Sequence, residues 1–363
     1  MNILVTGAKG FVGKHVSLNL KKYGHQVFEY DIDSPVNDLR NWIKDADFII
    51  HLAGINRPLT KEEFYDGNAN FTKKLVDIIH EENKIIPIIF SSSIQASLDN
   101  DYGKSKKMAE DYLLSSDLPV YIFRLANIFG KWCKPNYNSV AATFCYNLAH
   151  DIPLYIRDRD YIVHYNYIDD IVNAFLECVD GKQKASKDIL YVSPTYDCSL
   201  GHLTDLLVYY KKEVESIRHL PLFHNDFEYK LFKTFLSYLN DDNYTLNFAS
   251  DERGSFEELY KNPKYGQISE NISFPNITKG GHYHTFKEEI FYTVKGICEI
   301  KQRNIKDDNL LINVVNGEKP ELINIIPYYT HSIKNIGSFN SVTLMWISEI
   351  YNLDNADTYK EDV

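Results

Sequence analysis

Tyr102 and Lys106 stand four residues apart in "YGKSK", and Ser93 ends the run "FSSS" nine positions before Tyr102. Four residues make about one helical turn, so the two side chains share a face. An ammonium beside a phenol lowers the phenol pKa, and the phenol can then exchange a proton with a carbonyl or alkoxide. Ser93 can hydrogen-bond the same oxygen. Together these groups suit hydride chemistry between a ketone and an alcohol. A second cluster lies far downstream. His282 and His284 alternate in "GGHYHTFKEEIFYTVKG", Glu289 follows, and His331 sits in "YTHSIKN". On a strand, alternate residues point to one side. Three imidazoles and a carboxylate can hold a divalent metal and leave a position open to water or substrate. Glu288 is the alternative carboxylate, and a pair of surface histidines is the plainer reading of His-x-His taken alone.

A third feature opens the chain. "TGAKGFVG" places Gly7, Gly10 and Gly13 at GxxGxxG spacing, after an apolar run and at the start of a helical pattern. Such glycines let backbone approach a pyrophosphate, and the helix N-terminus offers N–H donors and a favourable dipole. Asp31 closes the next apolar run, 18 residues after Gly13. An acid there can accept from the adenosine ribose hydroxyls, which favours NADH over NADPH. Asp33 is a rival for that role.

The elements that must position these groups change character along the chain. Up to about residue 240, near-continuous apolar strands ("NILVT", "HQVFEYD", "ADFIIHLAG", "IIPIIFSSS", "VYIFRLAN") alternate with helical patterns. That alternation predicts an α/β Rossmann-type, doubly wound parallel sheet covered on both faces. Beyond it come short runs separated by turn residues ("GQISENISF", "EIFYTVKGICEI", "NLLINVV", "SVTLMWISEI") with no convincing helix, as in an all-β sandwich or barrel. The expected domains are residues 1–242 and 243–363.

Bulk composition narrows the function classes. A net charge of −11 argues against a nucleic-acid partner, yet permits a local basic pocket for a phosphorylated small molecule. The cysteines Cys133, Cys145, Cys178, Cys198 and Cys298 are odd in number and lack CxxC spacing, which predicts reduced thiols in a cytoplasm. No apolar run is long enough to predict membrane insertion.

Residues 1 to about 235 resemble an extended short-chain dehydrogenase/reductase. The resemblance is carried by the glycine motif, "HLAG" (51–54), Asn68 and Thr72 in "NANFT", the serine run, YxxxK, "RLANIFG" (124–130) and "NYIDDIV" (166–172). It implies catalytic roles for Tyr102, Lys106 and Ser93, with Asn68 as a helper. It also implies that Gly7, Gly10, Phe11, Val12, Gly13, Asp31, Leu52, Ala53 and Lys106 bind the dinucleotide. Asn127, Asn138 and Arg57 are candidate substrate contacts, and Arg157 and Arg159 are weaker ones. The short spacing from Ser93 to Tyr102 departs from the common extended pattern, which carries a longer insertion.

The downstream cluster resembles a cupin, with a jelly-roll fold. His282, His284, Glu289 and Gly296 match its first motif. The second motif is matched only by His331 and Asn335, because its proline is displaced to Pro327 and its glycine position holds Tyr328. "DERGSFEEL" and "GQISENISFPNITKGGHYH" are also similar to the metal-free 4-keto sugar epimerases of the rhamnose pathway, where a histidine at the position of His282 is the base. A reductase joined to an epimerase-like cupin resembles the bifunctional CapF/WbjC family of bacterial capsule and O-antigen synthesis. The telling stretches are "HLAGINRP", "SSSIQAS", "GKWCKPNYNSVAATFCY" and "ITKGGHYH".

That resemblance implies C3 epimerisation of UDP-2-acetamido-2,6-dideoxy-L-arabino-hexos-4-ulose, then reduction at C4 to UDP-2-acetamido-2,6-dideoxy-L-talose. It also implies NADPH, a divalent metal such as zinc, and a homodimer. Two rival readings are a single-activity nucleotide-sugar reductase, epimerase or dehydratase with a structural cupin, and a dinucleotide-sensing regulator without turnover.

Overall fold

The computed structural model describes every residue except 218–219, 240–245 and 247. The expected boundary at 242/243 lies outside the described residues. The chain divides into two compact units, Met1–Leu207 with Asn225–Asn240, and Val208–His224 with Asp241–Val363.

In the first unit, β1 (Asn2–Thr6), β2 (Gln26–Tyr30), β3 (Phe48–His51), β4 (Ile88–Ser93) and β5 (Val120–Leu125) are joined by the two-residue strand Ile189–Leu190. They form one sheet in the order β2-β1-β3-β4-β5 with Ile189–Leu190 at the far edge, and every pair is parallel. Successive side chains of a strand face opposite ways. Leu4, Ile49, Ile88 and Ile122 therefore enter one core, while Ile3, Val5, Ile50 and Phe123 enter the other. This two-sided burial is why these strands read as unbroken apolar runs. The chain leaves β1 toward β2 on one side and returns to β3 on the other. The carboxyl ends of β1 and β3 thus flank a topological switch point, where α/β sheets bind ligands.

The second unit holds two antiparallel sheets. One runs Phe248–Asp251, Gly254–Asn262, Gly266–Ser273, Ser341–Ile347, Glu289–Lys295, Leu322–Ile325, in spatial order. The other runs Leu310–Asn316, Ile297–Asn304, Tyr329–Asn335, Thr278–Tyr283, Tyr359–Lys360. The expected order of α/β followed by all-β is the one observed. No helix among the described residues is long and apolar enough to cross a membrane.

Candidate functional sites

The glycine loop follows β1 directly. Gly7 adopts φ +69°, and a Cβ there would come within 2.8 Å of the Ala53 nitrogen. Only glycine lets the loop lie this close to the exit of β3. A Cβ at Gly13 would stand 2.2 Å from the Gly7 oxygen, so helix α1 (Phe11–Lys22) begins tight against the loop. Gly10 caps α1 without a side-chain bond, and no side chain competes for the first-turn N–H groups. Phe11, Val12 and Gly13 thus offer a cradle that fits a pyrophosphate. Asp31 lies beside this loop, its carboxylate accepting from Lys9 N–H at 2.7 Å and Ile32 N–H at 2.8 Å. Its rival Asp33 instead pairs with the Lys9 ammonium.

Ser93, Tyr102 and Lys106 come together through the short link that the sequence shows. Ser93 ends β4 and accepts from Gln95 N–H at 3.2 Å, opening the 3₁₀ turn Ile94–Ser97. Asn100 then caps the helix Asp101–Ser115 by accepting from Gly103 N–H at 2.8 Å. A Cβ at Gly103 would strike the Gln95 oxygen at 2.1 Å, so glycine is what allows the helix to start this close. The result brings the Ser93 hydroxyl to the Tyr102 phenol.

One electrostatic expectation needs correction. Lys106 was expected to lower the Tyr102 pKa. Burial instead raises it, and the Ser93 bond only partly offsets that. The Lys106 ammonium donates to the Ser91 carbonyl at 3.0 Å. Full burial pushes Lys106 itself down to about 8, against the opposing pull of Glu110.

A buried frame holds this helix. Glu110 is fully buried and accepts a two-pronged bond from Arg124, at 2.9 and 2.7 Å, with Ser92 donating at 2.6 Å. One turn beyond Lys106, this pair ties the helix to β4 and β5. Asn68 sits at the switch point within the π-helical turn Tyr65–Asn70. Its amide holds both the N–H and C=O of Ile55 and donates to Ser105 at 3.0 Å. His51 is fully buried between Thr6 at 2.6 Å and Thr72 at 2.9 Å. Burial, aided by the Lys106 charge, lowers it to about 3.

The outer contacts fall apart into separate places. Arg57 donates to Asn138 at 2.6 Å, whereas Asn127 bonds the His164 carbonyl at 3.2 Å. Arg159 is already paired with Asp205 at 2.8 Å.

The second unit gathers the histidines. Thr278–Tyr283 pairs with Tyr329–Asn335, which sets His282 opposite His331. A bulge between Gly280 and His282 re-aims the strand, and Gly280 and Gly281 both have positive φ there. Ligating atoms of His282, His284 and His331 lie within 4.8 Å of one another. Glu289 reaches in from the other sheet, 3.0 Å from His331 Nε2 and 3.6 Å from His284 Nε2. Glu288 is exposed, so Glu289 is the carboxylate that faces the imidazoles.

Two of the imidazoles spend their other nitrogen on a backbone carbonyl: His284 Nδ1–H donates to Asp357 at 2.6 Å and His331 Nδ1–H to Tyr329 at 3.2 Å. His284 Nε2 is buried without a hydrogen bond, and Glu289 Oε2, buried beside it, has only His331 Nε2 at 3.0 Å for company. Imidazoles oriented this way, with a buried carboxylate among them, fit a divalent ion. Burial would raise Glu289, but the His284 and His331 imidazoles beside it outweigh this and hold it at about 2.

Sequence reading missed what braces this centre. The Asp357 carboxylate caps the turn after His284, accepting from the N–H groups of Thr285 (2.9 Å), Phe286 (2.9 Å) and Lys287 (3.1 Å). Tyr359–Lys360 then pairs with Tyr283 and His282. Residues 357–360 are thus a strap across the strand that carries His282. Tyr328, at the motif's glycine position, keeps a left-handed φ of +63°. Its N–H donates to the His284 carbonyl at 2.7 Å, which holds the turn before His331 despite the missing glycine.

A cavity of about 660 Å³ opens on the cluster. Its wall strand Gly266–Ser273 buries Gln267, Ser269, Asn271 and Ser273 while Ile268 is exposed, the reverse of an apolar core strand. Gln267 and Asn271 of this strand enter the cavity lining beside Phe256, Phe291, Ile333 and Met345, a mixed wall that suits a sugar ring. Lys279 also lines it, but its ammonium is engaged by Asn271 at 2.8 Å and Ile272 at 2.9 Å.

Comparison with known proteins places both units in known families. The family described as NAD dependent epimerase/dehydratase matches residues 3–192. The family described as polysaccharide biosynthesis C-terminal domain matches residues 249–359. The fold and sites thus define a class: an epimerase/dehydratase-type enzyme joined to an all-β domain of polysaccharide biosynthesis.

The UDP-2-acetamido-2,6-beta-L-arabino-hexul-4-ose reductase of Pseudomonas aeruginosa is 40% identical over 366 residues, 99% of this chain and 98% of that one. The capsular polysaccharide assembling protein CapF from Staphylococcus aureus superposes at a TM-score of 0.91 with 42% identity over 100% of both chains. The chain belongs to the CapF family. UDP-glucuronic acid 4-epimerase from Bacillus cereus, at 20% identity and a TM-score of 0.52 over 58% of this chain and 83% of that one, shares the fold of the first unit.

Proposed function

We propose that this chain is a bifunctional cytoplasmic enzyme of capsule or O-antigen precursor synthesis. Its reductase domain is residues 1–242 and its cupin epimerase domain 243–363. The substrate is UDP-2-acetamido-2,6-dideoxy-L-arabino-hexos-4-ulose, the sugar class named for the Pseudomonas relative. C3 is epimerised first and C4 reduced second, giving UDP-2-acetamido-2,6-dideoxy-L-talose. The order follows from the chemistry. Removing the C3 proton needs the neighbouring C4 carbonyl to accept the electron pair, and reduction destroys that carbonyl.

The observation that carries the epimerase half is the convergence of three imidazoles and the buried Glu289 on one cavity, with His284 Nε2 left without a hydrogen bond. His282, His284, Glu289 and His331 would hold a divalent metal, zinc by its taste for imidazole and carboxylate. Such an ion supplies Lewis-acid polarisation of a carbonyl. The imidazole nitrogens facing it are then unavailable as the C3 base.

In the reductase half, a nicotinamide dinucleotide supplies the hydride. Tyr102 donates its phenol proton to the C4 oxygen, Ser93 hydrogen-bonds the same oxygen, and the Lys106 charge favours the phenolate left behind. Gly7, Gly10, Phe11, Val12, Gly13, Leu52 and Ala53 line the dinucleotide. Asp31 suits the plain ribose of NADH, whereas the Lys9 ammonium offers a cation to the 2′-phosphate of NADPH, which we assign from the family resemblance.

The test is NMR of the 4-keto sugar nucleotide in D₂O with the intact protein. Deuterium should enter C3 with no nicotinamide present, and added NADPH should then consume the ketone faster than NADH does. Ketone reduction without C3 exchange would leave a plain C4 reductase and sink the two-step reading.

A further inference from the structure

Arg57, Lys134 and Tyr137 form a cluster that the chemistry above leaves unused. The Arg57 guanidinium carbon lies 5.3 Å from the centre of the Tyr137 ring, and Lys134 Nζ lies 5.3 Å from the same centre. Two cations therefore share one aromatic ring. Arg57 is also fixed by Asn138 at 2.6 Å, and the Tyr137 hydroxyl donates to Asn56 at 3.0 Å. Among the described residues neither cation pairs with a carboxylate, although the chain carries 50 acidic residues against 39 basic ones. The ring face attracts each cation, but the two repel one another. Two unpaired positive charges gathered in an acidic protein make a local site for an anion.

Their place in the fold says which anion. The loop leaving β3 starts beside the catalytic lysine, since a Cβ added at Gly54 would stand 3.1 Å from Lys106 Nζ. It passes Ile55, held by Asn68, and reaches Arg57 three residues after Gly54. Three residues of extended chain span at most about 11 Å. In a nucleoside diphosphate sugar the diphosphate hangs on C1, across the ring from C4. A sugar with C4 at Tyr102 therefore has its diphosphate within reach of these cations. Lys134 and Tyr137 arrive from the loop after β5 and the short strand Asn127–Phe129, shaped by left-handed turns at Trp132 (φ 66°) and Asn136 (φ 54°).

We propose that Arg57 and Lys134, spaced by Tyr137 and Asn138, clamp the diphosphate of the sugar nucleotide. The proposal rests on the reductase reading above and assigns Lys134 and Tyr137 a task that reading does not give them. Arg57 brings a planar fork suited to phosphate oxygens, and Lys134 brings a movable point charge. Tyr137 positions both.

The experiment is calorimetric titration of the full, NADPH-loaded chain with UDP and with uridine. Lys134→Gln and Arg57→Gln should each weaken UDP on the order of tenfold or more, the size of a lost charge-assisted bond. Uridine should bind as before, and Lys134→Arg should restore most of the UDP affinity. All three side chains are solvent-exposed, and NADPH affinity, which belongs to the glycine loop, serves as the fold control. UDP binding unchanged in both Gln variants, while the unaltered chain still reduces its ketone, overturns the clamp and leaves the reductase reading standing. An unaltered chain that binds neither UDP nor a UDP-sugar overturns both.

Discussion

The two sites of this chain are built on opposite plans. In the first unit Ser93, Tyr102 and Lys106 come from one continuous stretch, with Ser93 accepting from Gln95 N–H, Lys106 donating to Ser91, and Tyr102 beside Ser93. In the second unit the three histidines and Glu289 come from separate strands of two sheets, and His284 Nε2 is buried without a hydrogen bond. The difference teaches what each chemistry needs. Proton transfer to an alkoxide needs groups whose hydrogen bonds already aim them. A metal centre needs groups whose far sides are aimed and whose near sides stay open, at a desolvation cost that metal binding offsets.

The largest expected effects separate the two plans outright. Tyr102→Phe should cut ketone reduction by about 10²–10⁴ while leaving C3 deuterium exchange intact. His331→Ala should do the converse, losing bound metal and exchange but still reducing a ketone that is already epimerised. NADPH oxidation, NMR exchange and metal content read the two variants side by side. Either variant abolishing both reactions with its fold intact would break the contrast.

A smaller effect sharpens the second plan. Asp357→Ala removes the cap on Thr285, Phe286 and Lys287 and loosens the carbonyl that orients His284. Metal affinity should fall about 10–100-fold, as for lost partners of metal ligands elsewhere. Competition against a chelator measures it, with circular dichroism showing that the sheets persist. Unchanged affinity would make the terminal strap mere cover.

The smallest effect concerns a buried histidine that holds no metal. His51 sits at about 3 in the folded chain against 6.5 when unfolded. Between those values the unfolded chain takes up a proton that the folded chain refuses, so stability is full above pH 6.5 and declines as pH falls. The loss from this residue should reach about 2 kcal/mol at pH 5. Denaturant melts of His51→Gln at pH 7 and pH 5 should show a shallower decline than the parent. Parallel declines would mean that the Thr6–His51–Thr72 chain opens on protonation.

Much of this was legible from short-range pattern. The glycine loop, YxxxK and His-x-His are local motifs, because a tight turn, a helical turn and a strand's alternation each act over a few residues. The long-range pieces were not. The bond from His284 to Asp357 spans 73 residues, and nothing near either residue hints at the other. The strand "GQISENIS" shows a two-residue period, but the period alone does not say that its polar face turns inward. Tyr328 breaks the cupin-like motif on paper, yet its backbone takes the left-handed turn because the His284 carbonyl accepts its N–H.

By itself the sequence determined the order of the two folds and the identities of the groups able to do chemistry, since backbone sterics and side-chain type are local properties. Only the tertiary structure decided their electrical state and their company. Burial raised the Tyr102 phenol and lowered Lys106, against the simple expectation from their spacing. Packing of two sheets and a terminal strand chose Glu289 over Glu288 and set it 3.0 Å from His331 Nε2 and 3.6 Å from His284 Nε2. Desolvation and unmet hydrogen bonds depend on everything folded around an atom, and no stretch of sequence contains that.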